Sequence, residues 1–418
     1  MDKVALIMFI VVIALAFMRK INAGILAIAV GAVAVRIFSM SDKNLLDGIS
    51  GSMFATLVGI NLLFAIVNNT GALDLLARKI VSISGKRNWI LPIAIYMASF
   101  IIAAMTGAIP ALAIIPVLAV SVAIEAGYNP IMLGMVGACG WSAGRMTPIT
   151  PEGVIITAAA DKAGLQNVMF PIMVCQIFAT IIGCIILYFV FKGYKVKVAE
   201  GYLENKVVER FNTKQLISLG SVVIMLGLIV FLKLNVSVAA FSVVAVLLLF
   251  NIADESACIK VMPWGTIILV LGVGALLSVV DAVGGLQLFS NALAKLMNST
   301  TAAPFMGISA GLLSMVSSST GVVYPTMMPM CADIAAQVGN VNPIALMSAV
   351  GLGSSLTGVS PLSVAGALIL SAMANNEKYS SKEQQGKVFV QLFAVSISSL
   401  ILVVGASFFF NTIVNFMR

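Results

Sequence analysis

The stretch Gly144-Arg145-Met146-Thr147-Pro148-Ile149-Thr150-Pro151-Glu152-Gly153 interrupts a segment that is otherwise apolar enough to cross a membrane. Two prolines three residues apart cannot continue a helix, because each lacks an N–H group and clashes with the preceding turn. Freed backbone carbonyls are costly in lipid, so such a break survives only where it lines a cavity inside the protein. A second break, Leu356-Thr357-Gly358-Val359-Ser360-Pro361-Leu362-Ser363, lies in the second half of the chain. The pair predicts two broken helices that meet at one mid-membrane site, the alternative being kinks without a ligand.

Composition predicts that most of the surface faces lipid. Of the 418 residues, 61% are hydrophobic and 10% are charged, whereas a soluble domain is about half apolar and a quarter charged. The net charge of +8 does not indicate a nucleic-acid partner, since the basic residues lie in short loops between apolar segments. The chain has no histidine, and its five cysteines show no paired spacing. We therefore expect no zinc or di-iron site and no cofactor, only a coupling ion such as Na+ or H+.

The second half of the sequence repeats the first at a constant offset of 213 residues. Asn129-Pro130-Ile131 corresponds to Asn342-Pro343-Ile344, and Gly71-Ala72-Leu73 corresponds to Gly284-Gly285-Leu286. Residues in and around the breaks correspond as well, in the pairs Gly140 and Gly353, Ser142 and Ser355, Pro148 and Pro361, and Gly153 and Gly366. One offset over nearly the full length indicates a duplication.

Each half is predicted to contain five membrane-spanning helices and one re-entrant hairpin, in an all-α polytopic membrane protein. The first repeat covers 1–192, with scaffold spans in 1–68, a surface helix over 71–84, a hairpin over 88–126, a broken helix over 130–163 and a closing span over 168–191. The second covers 215–418, with the same parts at 215–280, 284–297, 303–338, 343–375 and 388–414, and 193–214 form a cytoplasmic linker. Two ordinary spans with a short turn are the alternative to each hairpin. An odd number of crossings in each half makes the repeats inverted.

Basic residues predict the orientation of the chain. With the linker on the cytoplasmic side, sixteen Lys and Arg residues fall inside and seven outside, and Arg145 remains within the membrane. This asymmetry is the one that the positive-inside rule describes. We therefore expect a multi-pass protein of the cytoplasmic (inner) membrane with both termini outside the cytoplasm.

Small hydroxyl residues and glycine mark both predicted hairpin tips. The first tip is Thr106-Gly107, and the second is Ser317-Ser318-Ser319-Thr320-Gly321. Glycine lets backbone amides approach a ligand closely, although hydroxyls in membrane helices often only bond to their own helix. Tips and breaks together give the predicted substrate-binding residues: Thr106, Gly107, Arg145, Thr147, Pro148, Thr150, Ser318, Ser319, Thr320, Gly321, Ser360, Pro361 and Ser363. The residues predicted to bind a coupling ion are Thr106, Gly140, Gly144, Ser319, Gly353 and Thr357.

Arg145 has three interpretations. A charge at membrane depth is expensive and usually functional, so Arg145 could pair with a substrate carboxylate through two parallel N–H donors. It could instead be a fixed cation in place of a sodium ion, because its repeat counterpart is Gly358. The third interpretation is a structural salt bridge with Glu152.

The order of these motifs resembles the malonate/dicarboxylate carriers of the MatC type, which are related to the divalent anion–sodium symporters. The motifs that carry the resemblance are Gly71–Leu76, Met105–Gly107, Thr147–Ile149, Met262–Trp264 and Ser317–Thr320. The resemblance implies a homodimer whose hairpins and broken helices carry substrate past a scaffold by an elevator movement. Symporter tips read Ser-Asn-Thr, whereas this chain has Ala104-Met105-Thr106 and Ser318-Ser319-Thr320. The missing Asn residues and Arg145 favour fewer sodium ions or coupling to protons.

The expected function is therefore symport of a small organic anion, a di- or monocarboxylate, driven by Na+ or H+. An alternative is the large permease of a binding-protein-dependent (TRAP) transporter, which also has inverted repeats and hairpins and would need a small membrane subunit and a receptor. An intramembrane enzyme would need clustered acids for a metal or a nucleophile with its base. The sequence has neither.

Overall fold

Helices form the regular structure of the part of the chain described by a computed structural model, which covers 1–19, 21–83, 89–196, 209–316, 318–361, 363–374, 379 and 381–417. Ser317, Leu362, most of the linker and seven of the basic residues counted above lie outside it. The first half contains α1 (Asp2–Arg19), α2 (Ala23–Ile37), α3 (Asp42–Leu46), α4 (Gly51–Asn69), α5 (Ala72–Ser82), α6 (Ile90–Thr106), α7 (Ala108–Ala126), α8 (Pro130–Gly144), α9 (Pro151–Lys162) and α10 (Met169–Val190). The second half contains α11 (Thr213–Leu232), α12 (Val236–Leu249), α13 (Glu255–Lys260), α14 (Trp264–Ala282), α15 (Gly285–Ala294), α16 (Ala302–Val316), α17 (Tyr324–Val338), α18 (Pro343–Leu356), α19 (Val364–Ala374) and α20 (Lys382–Phe416).

The helix bounds recur at the offset that the sequence shows, and matching residues begin matching helices. Asn22 and Asn235 each accept a hydrogen bond at the start of α2 and α12. Asn129 and Asn342 do the same for α8 and α18, where a proline follows. Asparagine satisfies N–H groups that have no partner within the helix, and proline fits the first helical position because it has none to satisfy. The short helices α3 and α13, which the sequence analysis did not predict, also correspond.

Contacts between the halves are reciprocal. Helix α2 packs against α14, and the corresponding pair is α12 against α4. In the same way, the contact of α1 with α15 corresponds to that of α11 with α5, and the contact of α9 with α17 corresponds to that of α19 with α7. Reciprocal pairs of this kind are what a two-fold relation between two similar units produces. That the second half is inverted across the membrane stays a prediction.

Several helices are suited to a bilayer by length and composition. Five segments of the described chain are long and apolar enough to span it: Asp42–Asn69, Met169–Val190, Thr213–Leu232, Trp264–Ala282 and Lys382–Phe416. The shorter helices α2 and α12 are apolar as well. Large apolar side chains such as Phe231 and Leu249 are 84% and 80% exposed. Such exposure would be costly in water and is expected where the surroundings are lipid.

Two helical hairpins pack against the broken helices. Gly107 alone separates α6 from α7, and both arms pack against α8. The arms of the second hairpin, α16 and α17, are joined through a π-helical turn at Ser319–Val323 and pack against α18. The amphipathic helix α5 buries Leu73, Leu75 and Val81 and contacts α6. Its counterpart α15 packs between α1 and α17. That the hairpins re-enter the membrane and do not span it stays a prediction.

Candidate functional site

The first break runs from Arg145 to Thr150, between the end of α8 and the start of α9. The Thr150 hydroxyl donates to the carbonyl of Arg145 over 2.6 Å and to that of Thr147 over 2.8 Å. Its oxygen also accepts from the Gly153 N–H over 3.0 Å, which caps α9. One threonine thus satisfies backbone groups on both sides of the break, and this lowers the cost of placing it in a buried environment.

The second break uses a serine in the same way. A short 3₁₀ turn, Thr357–Val359, follows α18. The Ser363 hydroxyl donates to the carbonyl of Gly358 and, over 2.7 Å, to that of Ser360. It accepts from the Gly366 N–H over 3.4 Å. Ser363 is the repeat counterpart of Thr150, so the two breaks share one construction.

Each hairpin tip lies against the break of its own half. The Thr147 hydroxyl donates to the Ala104 carbonyl over 2.8 Å. A Cβ atom at Gly107 would lie 2.8 Å from Oε2 of Glu152, so the first tip reaches the start of α9. In the second half, the Ser319 hydroxyl donates to the Ser354 carbonyl over 2.9 Å. The predicted tip and break residues are therefore brought together within each half.

Hydroxyl and carbonyl oxygens cluster beside the second break. The Ser314 and Ser319 hydroxyls lie 2.9 Å apart, and both donate to the Ser354 carbonyl. The Thr357 hydroxyl lies 2.8 Å from both the Gly311 and the Gly353 carbonyls. Within the described part of the chain, no group of three or more His, Cys, Asp or Glu residues could hold a metal ion. Oxygens of hydroxyls and carbonyls are nevertheless ligands for a small cation such as Na+.

Three glycines of the predicted ion site allow helices to pack closely. A Cβ atom at Gly140 or Gly144 would overlap the Tyr96 or Phe100 carbonyl of α6, and one at Gly353 would overlap the Gly307 carbonyl of α16. Close packing of the helices is enough to explain why glycine stands at these three positions, without a bound ligand. Ion binding by their backbone stays a prediction.

Arg145 joins the first break to the second half of the chain. Its Nη2 donates to the Tyr324 hydroxyl over 2.6 Å and to the Ser355 hydroxyl over 2.5 Å. Its Nη1 lies 3.8 Å from Oε1 of Glu152, within ion-pair distance. Arg145 is 5% and Glu152 2% exposed. The salt bridge with Glu152 is therefore present in this structure, and the substrate and ion-substitute roles stay predictions.

The remaining predicted residues differ in their surroundings. The Thr106 hydroxyl donates to the Ile102 carbonyl of its own helix over 2.8 Å. Hydroxyls in membrane helices often make this bond in the absence of any ligand. Ser318 caps the turn at Gly321 over 3.1 Å and lines an apolar cavity of about 660 Å³ beside α1 and α15. Ser360 and Pro361 are buried, Thr320 is half-buried and Pro148 is exposed.

Tyr324 and Ser314 belong to the site but were not predicted from the sequence. Tyr324 is fully buried, and Arg145 lies over its ring at 5.5 Å from the centroid. Its repeat counterpart is Ala111, so the duplication gave no signal for it. The sequence identified Ser355 as the repeat counterpart of Ser142 but did not predict it as a site residue. The buried hydroxyl of Ser142 has no hydrogen-bond partner among the described residues. The two halves therefore differ at the centre of the site.

Comparisons with known proteins give two matches. The family described as a citrate transporter (CitMHS) matches residues 6–351. Among solved structures, the fold is similar to that of the YdaH transporter of Alcanivorax borkumensis, with a TM-score of 0.56 and 15% identity over 89% of this chain and 88% of that one. No curated protein sequence matches. These matches confirm the prediction of a multi-pass membrane transporter. The assignment to carriers of the MatC type stays a prediction. The matches give the TRAP alternative no support.

Proposed function

The chain belongs to the CitMHS family of citrate transporters, and from that premise we propose that it is a symporter of small carboxylate anions, driven by Na+ or H+. Mono- and dicarboxylates and citrate-like anions form its substrate class. The observation that carries this proposal is Arg145, a buried cation where the first break meets the second hairpin.

Arg145 is equipped to bind a substrate carboxylate. Its present acceptors, the hydroxyls of Tyr324 and Ser355, are neutral. An ionised carboxylate can accept two parallel N–H bonds from a guanidinium and adds the attraction of opposite charges, which a neutral hydroxyl does not. A substrate carboxylate therefore competes well for Nη2. The nearby start of α9 adds the positive end of a helix dipole, which favours an anion further.

The oxygen cluster of Ser314, Ser319, Ser354 and Thr357 is the proposed site of a Na+ ion. Its oxygens come from Ser314 of α16, Ser319 of the second tip, Ser354 of α18 and Thr357 of the second break. The Ser314 and Ser319 hydroxyls lie within 4 Å of the place that a Cβ atom at Gly358 would occupy. In the absence of a cation, the hydroxyls bond to the carbonyls. A bound cation would take over those oxygens and hold the tip against the break.

An elevator movement of a homodimer completes the proposal. The scaffold consists of α1–α4 and α11–α14, and the hairpins with the broken helices form the moving part. A Cβ atom at Gly321, in the second tip, would overlap the Leu269 side chain of α14. The second tip therefore packs closely against the scaffold, and movement would have to separate this contact. The mass of the purified protein in detergent, measured by light scattering, tests the dimer.

Uptake by proteoliposomes tests the transport function. Purified protein is reconstituted, and uptake of radiolabelled citrate, malonate and succinate is measured with a Na+ gradient, a pH gradient or neither. We expect gradient-dependent uptake of at least one of these anions and its loss in Arg145→Ala. The matched control is Arg36→Ala, which removes an exposed arginine paired with Asp42. Absence of carboxylate uptake under every gradient, or normal uptake by Arg145→Ala, would contradict the proposal.

A further inference from the structure

Arg145 and Glu152 are the charged residues that are buried in the part of the chain whose burial the structure describes. Their charges lie 3.8 Å apart, between Nη1 and Oε1. The other carboxylate oxygen, Oε2, lies against Gly107 at the tip of the first hairpin. Glu152 also stands in the first turn of α9, where the helix dipole favours a negative charge. The carboxylate thus lies between the guanidinium, the hairpin tip and the start of α9.

We propose that Glu152 is the residue at which substrate binding is linked to proton uptake. This inference rests on the proposed function, in which a substrate carboxylate binds to Arg145. Once Arg145 turns to the substrate, the Glu152 carboxylate loses its neighbouring cation. Loss of a neighbouring opposite charge makes a buried charge more costly, and one proton bound to a carboxylate oxygen removes that charge. On release of the substrate, Arg145 returns to Glu152 and the proton leaves to water.

Glu152 is the group in this cluster whose chemistry suits proton exchange. A guanidinium keeps its proton in proteins, and the Tyr324 and Ser355 hydroxyls act here as hydrogen-bond acceptors of Arg145. The Arg145 guanidinium lies within ion-pair distance of the Glu152 carboxyl and also donates to the Tyr324 hydroxyl. The helices packed against α9 are α4, which has no titratable side chain, α10 and α17. Their other titratable side chains are Cys175, Cys184 and Tyr188 of α10 and Cys331 and Asp333 of α17. Asp281 of α14 and Lys162 of α9 line one cavity.

Proton uptake on binding is measured directly by titration calorimetry. Succinate is bound to the purified protein between about pH 7 and pH 9, where its carboxyl groups are ionised because carboxyls titrate near pH 4. Buffers with different ionisation enthalpies give the number of protons taken up per succinate. We expect up to about one proton in the wild type and none in Glu152→Gln, which carries a neutral side chain of the same shape. Affinity in the wild type should fall as pH rises, by up to tenfold per pH unit, and should be independent of pH in Glu152→Gln.

Two further variants complete the experiment. Glu383→Gln removes an exposed carboxylate paired with Lys387 and should keep the wild-type proton uptake. Glu152→Asp keeps an ionisable group and should also take up a proton. If Glu152→Gln does not fold, proton uptake by Glu152→Asp still tests the role of the carboxyl group. In liposomes, Glu152→Gln should exchange internal for external succinate but should not accumulate it against a gradient when a pH difference is imposed.

The outcomes separate this inference from the proposed function. If the wild type binds and transports succinate but takes up no proton, or if Glu152→Gln takes up as many protons as the wild type, the role of Glu152 is wrong and the transporter stands. If the wild type neither binds nor transports any carboxylate, the proposed function itself fails.

Discussion

The guanidinium of Arg145 donates a hydrogen bond over 2.6 Å to the hydroxyl of Tyr324, a residue 179 positions later in the chain. This bond connects the break of the first half to the hairpin of the second. Because Ser355 accepts from the same nitrogen over 2.5 Å, three segments meet at one nitrogen of a single side chain. The proposed substrate site is therefore shared by both halves and is not contained in either.

Tyr324→Phe is expected to destabilise the protein by about 1–3 kcal/mol, because a buried donor loses its acceptor and cannot reach water. Thermal unfolding of the purified protein measures the change. Tyr194→Phe is the matched control, since Tyr194 is 54% exposed. Addition of a transported carboxylate should restore part of the lost stability in Tyr324→Phe, because the substrate supplies an acceptor to Arg145. Equal melting temperatures for the two variants would mean that the bond contributes nothing.

Arg145→Met and Glu152→Gln are each expected to cost about 3–5 kcal/mol, since either change removes one charge of a buried ion pair and keeps the other. The double variant removes both charges and should cost less than the sum of the two. Denaturant or thermal unfolding of the wild type, the single variants and the double variant gives the coupling energy. Strict additivity would show that the distance of 3.8 Å between the charges carries no energetic coupling.

Gly153→Ala and Gly366→Ala are expected to disrupt the two breaks. An added Cβ atom would overlap the Thr147 carbonyl in the first case and the Ser360 carbonyl in the second. The backbone of a break cannot shift without losing the bonds that Thr150 and Ser363 make. Gly220→Ala and Gly405→Ala are the controls, because a Cβ atom meets nothing there within 4 Å. We expect the controls to be neutral or stabilising by up to about 1 kcal/mol and the break variants to be poorly folded, as measured by monodispersity and melting temperature.

Gly107→Ala is expected to cost more stability than Gly284→Ala. Both glycines have positive φ angles, +83° and +80°. The ψ angle of −171° at Gly107 belongs to a region that is essentially restricted to glycine, whereas Gly284 has the more tolerant left-handed helical conformation. A Cβ atom at Gly107 would also press on Glu152, while Gly284 has open space. The difference in melting temperature between the two variants checks this expectation, and a smaller loss for Gly107→Ala would contradict it.

Cross-linking of Leu269→Cys with Val322→Cys is expected to arrest transport. Both residues line the cavity between α14, α1 and the second hairpin, and the proposed movement separates them. The variants are made after replacement of the five native cysteines, and a short thiol cross-linker is applied to proteoliposomes. The control pair is Asn22→Cys with Gly265→Cys, two scaffold positions whose residues share a hydrogen bond of 2.7 Å. Transport that survives the first cross-link would contradict an elevator movement of this hairpin.

The positions of the helices followed from the sequence because their determinants are local. Proline pairs, asparagine caps and glycine-containing tips act within a few residues of where they stand. The bounds of α8 and α18 therefore agree with the prediction at their first residues, Pro130 and Pro343. The Arg145–Glu152 pair is predictable for the same reason, since the two residues lie on either side of one break.

The contacts at the centre of the site could not be read from the sequence. Tyr324 and Ser355 reach Arg145 from 179 and 210 positions away, and neither spacing nor periodicity encodes such a distance. The duplication even pointed away from Tyr324, because the first half has Ala111 there. Thr106, whose type and place favoured a ligand, instead bonds to its own helix. Whether a hydroxyl faces a ligand or its own backbone depends on a side-chain rotation that the sequence does not show.

The reciprocal packing of α9 on α17 and of α19 on α7 bears on how such a chain could arise. Each half uses helices of the other to cover its own hairpin. A chain with one half alone would leave these faces uncovered and would satisfy them only by associating with a second copy of itself. Before the duplication, the ancestor would thus have been an obligate pair of short chains. In a single chain the two halves are free to differ, and Arg145 stands where the second half has Gly358.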